Sequence, residues 1–532
     1  MKLKCLLFYF ICIQFTITAQ SVFVPLSSGI YNFLERNSLK HIIILSDAAK
    51  PYSRIEAASY LKLIDGQRMV LSEVEKEELD WYKREFADEL KLKDERWFLY
   101  KYTDSLFHFR VSPSLGVEFS SIAGKPARKQ WWGVSVYSSI SNWFSMFLNF
   151  RDNGEYGSGV DKNKSFSPQT GASFIKAPNG IEYSDVRGGV CVDWQWGSIS
   201  LEKDYFTLGS GKFGQVIHST KAPSYPFIRF ILNPVSWLKF NYIHGWLNSQ
   251  VVDSVGYYYR TDPVYKTDAE KFVPKYIAIN FLTITPFPWL DFSLGNSSVY
   301  KGAFKPEMLI PFMFFKYLDR DLGKGSIEDG NGAFFFDASV KYWKNYQLYS
   351  TLFVDVTEIR NILKNNWANT WTGFTAGVKR IDLLTENLDL TCEYTRINPW
   401  VYEHKDSTTT YKHLNFVLGH WIGQNADQLR LQLDYQYLKN LKFTLYSEVV
   451  RKGGLKDIGY YAYTNMTKMD FLYSPKRIDK RIGISVYYEY IHDLIAKFNY
   501  EYSNIKDDDS GRTQSYLIGA KNNFSLSLQY GL

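Results

Sequence analysis

Residues 429 to 450 read LRLQLDYQYLKNLKFTLYSEVV, and every second residue of the first half is apolar. Leu429, Leu431, Leu433, Tyr435 and Tyr437 alternate with Arg430, Gln432, Asp434 and Gln436. An extended strand turns that pattern into one apolar and one polar face, because successive side chains point to opposite sides of the pleat. The same period governs "FFFDASVKY" (334–342), "LYSTLFVDVTE" (348–358), "NLDLTCEYT" (387–395), "RIGISVYYEY" (481–490), "LIAKFNYEYS" (494–503) and "FSLSLQYGL" (524–532). Short connections such as "WKNYQ", "LKNL" and "IHD" join them. Hairpin following hairpin implies an antiparallel meander. From about Trp97 to Leu532 no helical crossover or linker interrupts it, so roughly 435 residues supply about sixteen to eighteen strands.

The question is which face of those strands looks inward. A soluble barrel or sandwich buries its apolar face and shows the polar one to water. In lipid the arrangement inverts, and Asp337, Lys341, Asp355, Lys379, Asp389, Glu393, Arg430, Asp434, Glu448, Glu489, Lys497 and Glu501 then line a wet or ionically filled lumen. Composition favours the inversion: Phe, Trp and Tyr make up 17% of the chain, interleaved with charge so that the mean hydropathy is only -0.26. The pairs Tyr435/Tyr437, Tyr488/Tyr490 and Tyr500/Tyr502 are expected at strand ends, where amphipathic rings suit the membrane–water interface. The last strand alternates Phe524, Leu526, Leu528, Tyr530 and Leu532, as outer-membrane barrels do, although Leu532 replaces the usual terminal aromatic. The fold expected is mainly β, a large antiparallel transmembrane β-barrel preceded by a small helical domain.

The chain opens with "MKLKCLLFYFICIQFTITAQ", two lysines, an apolar run and small residues up to Ala19. This is the form of a secretory leader, too short and wrongly flanked to span a bilayer. The division expected is a signal peptide at 1–19, a periplasmic helical domain at 20–94 and the outer-membrane barrel at 95–532. In the helical stretch "SRIE" at Ser53 and "SEVE" at Ser72 match the Ser-x-x-Glu capping box. Leu79, Tyr82, Phe86 and Leu90 then form one apolar stripe, expected to be packing surface. Loss of Lys2 and Lys4 lowers the formal charge to about +5, which tolerates acidic partners without demanding nucleic acid. Cys5 and Cys12 leave with the leader, and neither has a lipidation context. Cys191 and Cys392 are too few and too far apart for a disulfide scaffold, and Cys392 lies on the apolar side of its strand.

Chemical motifs are sparse. "LGSGKFG" supplies Gly209, Gly211 and Gly214, a formal G-x-G-x-x-G, but "QVIHSTKAPSYPF" follows instead of a helix, so a glycine-rich turn or a loop folded into the lumen is expected. No H-E-x-x-H, C-x-x-C or G-x-S-x-G occurs. His404, His413 and His420 are close in sequence, and exposed loop histidines are expected rather than a metal site. "KDDDSG" (506–511) reads as an acidic turn without the EF-hand spacing. No cofactor, metal or catalytic group is therefore expected. Carbohydrate remains, since sugars stack CH faces on aromatic rings and pair hydroxyls with charged and amide groups. The candidates are Trp131, Trp132, Trp194, Trp196, Tyr205 and Trp421, with Lys203, Asp204, Lys212 and His218 nearby in sequence.

Three stretches, "VPLSSGIYNFLERN" (24–37), "LEKDYFTLGSGKFGQVIHSTKAPSYPFIRF" (201–230) and "HLNFVLGHWIGQNADQLRLQLDY" (413–435), resemble the Wzi family of outer-membrane capsule assembly proteins. Their order agrees with that family along nearly the whole mature chain. The resemblance implies an eighteen-stranded barrel with a small helical domain at its periplasmic end, acting without catalysis as a lectin-like anchor for capsular polysaccharide. It transfers no binding residue. The partners expected are capsular or other extracellular polysaccharide, outer-membrane lipid and a periplasmic protein docking on the helical domain, with the chain a monomer and no nucleic acid bound. An outer-membrane channel or porin is the alternative, because a barrel of this size encloses water unless something fills it. An outer-membrane hydrolase would need a nucleophile and a base converging at one place.

Overall fold

The structure, a computed structural model, describes residues 22–94, 96–141, 143–253, 271–316, 318, 330–355, 371–454, 470–473, 476–509 and 511–531. The leader expected at 1–19 and the end of the strand expected at 348–358 lie outside these residues. Among the described residues eighteen antiparallel strands close into one barrel. The first, Phe107–Ile122, pairs with the last, Gly519–Tyr530, bringing Leu115 opposite Tyr530 and removing both sheet edges. At one end the strands are joined by tight turns such as those between Leu438 and Leu441 or Ile491 and Leu494. Most connections at the other end are longer.

The apolar rows face outward. Leu429 is 49% exposed, Leu526 58% and Trp132 59%, whereas Asp337 is 1% and Glu393 2% exposed on the inner side. Lipid is the medium in which that distribution is stable. Tyr437, Tyr488 and Tyr490 are exposed near the tight-turn end. Tyr500 and Tyr502 are not at a strand end: their strand runs Leu494–Asp507, so they fall at its middle. One stretch of the outer face carries a protein cover. Residues 302–316 fold back over it, with Phe312 stacked on Phe240 at 4.1 Å. Beneath lie Asn280 and Asn296, directly opposite each other on neighbouring strands. Asn280 Nδ2 donates to Met313 O (2.7 Å), and Asn296 Oδ1 accepts from Phe315 N (3.1 Å). Two amides at lipid-facing positions thereby meet backbone groups that would otherwise be unpaired in hydrocarbon.

Four helices precede the barrel: α1 (Ile30–Leu39), α2 (Arg54–Asp65), α3 (Glu73–Glu85) and the short α4 (Ala87–Leu90). Ser72 heads α3 with a complete capping box, its Oγ accepting from Glu75 N while Glu75 Oε2 accepts from Ser72 N. The box at Ser53 is half formed, because Glu56 turns its carboxylate to Lys239 on the barrel (3.0 Å). Leu79, Tyr82 and Phe86 enter a core shared with Ile30, Phe33, Leu34, Leu61 and Ile64. This unit caps the tight-turn end. Arg110–Asp88, Lys379–Glu35 and Lys439–Glu77 ion pairs tie it to separate sectors of the wall, and Trp81 stacks against His492 at 3.8 Å.

The lumen departs from the expected uniform polar lining. Phe227, Ile243, Ile277, Ile279, Phe281, Val299, Phe335 and Phe353 also point inward, and are buried against Phe206, Val216, Ile217, Trp400, Tyr402, Tyr411 and Leu418. The reason is that 205–224 and 398–425 fold inside the barrel, so this part of the wall meets protein on its inner face and lipid on its outer face. Strands buried on both faces read as near-continuous apolar runs instead of alternating.

Candidate functional site in the barrel lumen

The wall from Phe107–Ile122 to Gly180–Trp194 keeps a polar inner face and borders a cavity of about 880 Å³. Period-two alternation places Asn149, Arg151, Asn153 and Glu155 of one strand on the cavity side, with Tyr183, Asp185 and Arg187 on the next. Residues 159–173 and 220–224 form the facing wall, and residues 24–27 with Pro51 lie at the helix-bearing end. Ion pairs fix much of the lining. Glu155 accepts from Lys164 Nζ (2.7 Å) and Tyr183 Oη (2.7 Å), and Arg187 lies between Asp185 (3.2 Å) and Asp204 (3.4 Å). Lys221 clips the facing loop in place, donating to the carbonyls of Ser167 and Gln169 (2.8 Å each). Burial pushes the Lys221 ammonium down to about 8.

Of the ten residues singled out in the sequence, Lys203, Asp204 and Tyr205 line this cavity. Trp131 points inward, lies over Gly116 and is 7% exposed, with Arg151 at 5.5 Å from its ring. Trp132, the next residue, faces outward against Phe150. Trp194 and Trp196 pack on each other at the tight-turn end, away from the cavity. Trp421 is buried against Phe166. His218 is stacked on Phe206 at 3.9 Å and hydrogen-bonded to Phe206 O and Tyr225 Oη; burial pushes it down to about 3. Asn149, Arg151, Asn153, Tyr183 and Arg187 also line the cavity and were not among the sequence candidates. The signal lay in the inward-facing series of "FSMFLNFRDNGEY" (144–156) for the first three and of "GIEYSDVRGG" (180–189) for the last two.

Lys212 occupies a different place, at the junction of lumenal loop and helical cap. Its ammonium contacts Asp47 (2.6 Å) and Glu35 (3.0 Å). Burial by itself would raise the Glu35 carboxyl, but Lys212 and Lys379 overcome it and hold it at about 2. Asp47, buried as well, is held far below the usual carboxylate range by Lys212, Lys341 and Lys50. The glycine-rich segment around Lys212 is a loop folded into the lumen. Ser210 N donates to Asp337 (2.9 Å), and Lys212 N and Phe213 N donate to the two oxygens of Glu393 (2.6 and 3.1 Å). It thus binds carboxylates of the barrel wall with its amides, and no helix follows it. Gly214 leaves room for His420, since a Cβ there would come within 2.4 Å of the ring nitrogen.

Of the histidines expected on an exposed loop, His413 and His420 are inside instead, and His404 is half-buried, with Nδ1 2.7 Å from Thr409 Oγ1. His420 is fully buried and pushed down to about 3, and His413 accepts from Asn248 N at 3.0 Å. The cause is the inward folding of 398–425. Among the described residues no group of three metal-ligating side chains converges. Asp507 of the acidic turn is paired with Arg512 at 2.5 Å, and Cys191 and Cys392 are free thiols.

No protein-family model matches the chain, and no curated protein matches it in sequence. Among solved structures, Wzi of Escherichia coli, described as an outer membrane protein involved in Group 1 capsule assembly and a carbohydrate binding β-barrel, aligns with 96% of this chain and 100% of its own, at 13% identity and TM-score 0.58. OprD of Pseudomonas aeruginosa aligns with 79% of this chain and 94% of its own, at 10% identity and TM-score 0.43. OccAB4 of Acinetobacter baumannii aligns with 80% of this chain and 98% of its own, at 8% identity and TM-score 0.45. The likeness is one of fold: the chain is an eighteen-stranded outer-membrane β-barrel with the architecture of Wzi.

Proposed function

We propose that this protein retains or helps assemble a capsular or other extracellular polysaccharide at the cell surface, as a monomer and without catalysis, by admitting a saccharide segment into the lumenal cavity. The observation that carries the reading is the cavity itself. It is polar, of a size suited to a few sugar residues, and presents the rings of Tyr183 and Tyr205 among amides and charges. On this reading the leader at 1–19 is removed on export, the helical segment of 20–94 faces the periplasm, where it offers a docking face, and the cavity opens toward the exterior. The ion-paired contacts between cap and wall favour a fixed closure over a displaceable gate.

The channel reading has one observation of its own. Ser485, Asn499 and Ser525 form a hydrogen-bonded inward row beside the cavity, with Asn499 exposed. Deleting the gene and comparing cell-bound with released polysaccharide tests the first reading: loss of retention, restored by the intact gene, is expected, and unchanged retention overturns it. Planar-bilayer recordings of the purified protein address the second, since large stable openings would favour a channel.

A further inference from the structure

We propose that the cavity selects an acidic saccharide, one carrying a carboxylate, and that Arg151 is the group that takes that carboxylate. The inference rests on the reading of the cavity as a saccharide site. The other cations that line the cavity are already engaged. Lys129 and Lys164 share Glu155, at 3.4 and 2.7 Å. Arg187 is neutralised between Asp185 and Asp204. Lys203 has no carboxylate partner among the described residues, but its ammonium is held by Val186 O (2.6 Å) and Ser224 Oγ (3.0 Å), and Arg128, on the opposite face of the strand from Lys129, lies over the Tyr156 ring at 5.8 Å. Arg151 has no ion pair among the described residues, and its single hydrogen bond runs from Nη2 to Ser114 Oγ at 3.3 Å.

The sheet register explains the geometry. Ser114, Gly133, Arg151 and Asp185 form one row across four strands. Gly133 has no side chain, and a Cβ there would come within 2.0 Å of Phe150 O. The guanidinium can therefore lie across Gly133 toward Ser114, with the Trp131 ring at 5.5 Å supporting it. Asp185, its neighbour in the row, is engaged by Arg187 at 3.2 Å. Glu118, a lining carboxylate without an ion pair among the described residues, belongs to the row of Lys129 and Glu155, four residues further along the strand. A guanidinium offers five N–H donors in a planar fork, and here nearly all of them are available to a carboxylate arriving through water. Asn149 and Asn153 flank Arg151 on its own strand, and Asn149 lines the cavity where neighbouring hydroxyls of the same sugar would reach.

The test uses the full-length protein in detergent micelles and a matched probe pair: oligogalacturonate and its methyl ester, identical in sugar but differing in charge. Titration calorimetry at low salt is expected to show the acid form binding about tenfold more tightly, the scale of one charge-assisted bidentate contact. Arg151→Gln is expected to remove that preference, bringing affinity for the acid form down to that for the ester measured in the same variant, and Arg151→Lys to restore part of it. Heat-modifiable gel migration identical to wild type shows that each variant is folded. Equal binding of the two forms, or a preference that survives in Arg151→Gln, overturns the inference and leaves the saccharide reading standing. Binding of neither form removes both.

Discussion

The two sides of the barrel lumen solve one problem in opposite ways. From Tyr225–Val235 round to Leu388–Ile397 the inner face is filled by lumenal loops, and Phe281, Phe335 and Phe353 form a dry core. From Ala426–Leu438 through the closure to Gly180–Trp194 it stays polar, with Gln432, Asp434, Asn499, Arg151 and Asp185 facing water or one another. The outer face is apolar in both. Stability is concentrated where the barrel is solid, and the side left hollow is free to carry a binding site whose residues contribute little to the fold.

That contrast can be broken in several places. The largest effect is expected from truncating the dry side: Phe335→Ala, with Phe281 and Phe353 around it at ring distances of 6.2 and 6.1 Å, should cost about 3–5 kcal/mol in denaturant unfolding. Tyr183→Ala on the wet side should cost about 1 kcal/mol. Similar losses on both sides would erase the distinction. Next comes the junction, where Lys212→Met removes the cation shared by Glu35 and Asp47, leaving them only Lys379, Lys341 and Lys50, and should destabilise by about 3 kcal/mol. A hydrophobic replacement without that penalty would mean that water reaches the pair.

The same junction has a pH signature. Glu35 is lowered from 4.5 to about 2 in the fold, so its contribution is complete above about pH 4.5 and is lost as pH falls toward and through 2. Thermal unfolding between pH 7 and pH 2 should show this loss, on the order of 3 kcal/mol in wild type. In Glu35→Gln it should be absent; an identical acid profile in that variant would contradict the assignment. The smallest stability effect is expected at Asn149→Ala, within about 0.5 kcal/mol, while affinity for saccharide falls measurably. A large stability loss there would place Asn149 in the structural framework.

How much of this could be read from the chain depends on the range of the forces involved. Strand, hairpin and facing are local: the alternation in 429–437 and 481–490 dictates which side chains meet lipid. Adjacent residues Trp131 and Trp132 must point opposite ways for the same reason. The dry core was partly legible as well, because "KYIAINFLTIT" (275–285) carries apolar residues at both odd and even positions, seven of eleven in all, a pattern that two-sided burial produces. The capping boxes were legible, but the diversion of Glu56 to Lys239 joins positions far apart in sequence and was not. Nor was the cavity. Its inward residues follow a readable period, but its emptiness depends on where 157–173 and 205–224 fold, and no local rule sets that. His413 and His420 were placed outside for the same reason.

The most direct test is thiol accessibility in intact cells, using single-cysteine variants in a background with Cys191 and Cys392 replaced by alanine. Ser120→Cys borders the cavity, and Ser293→Cys and Ser297→Cys lie buried on the inner face of the filled side. A half-hollow lumen predicts rapid modification of position 120 by a small charged maleimide and protection of 293 and 297 until the protein is unfolded. Equal labelling of all three, or protection of all three, would contradict it.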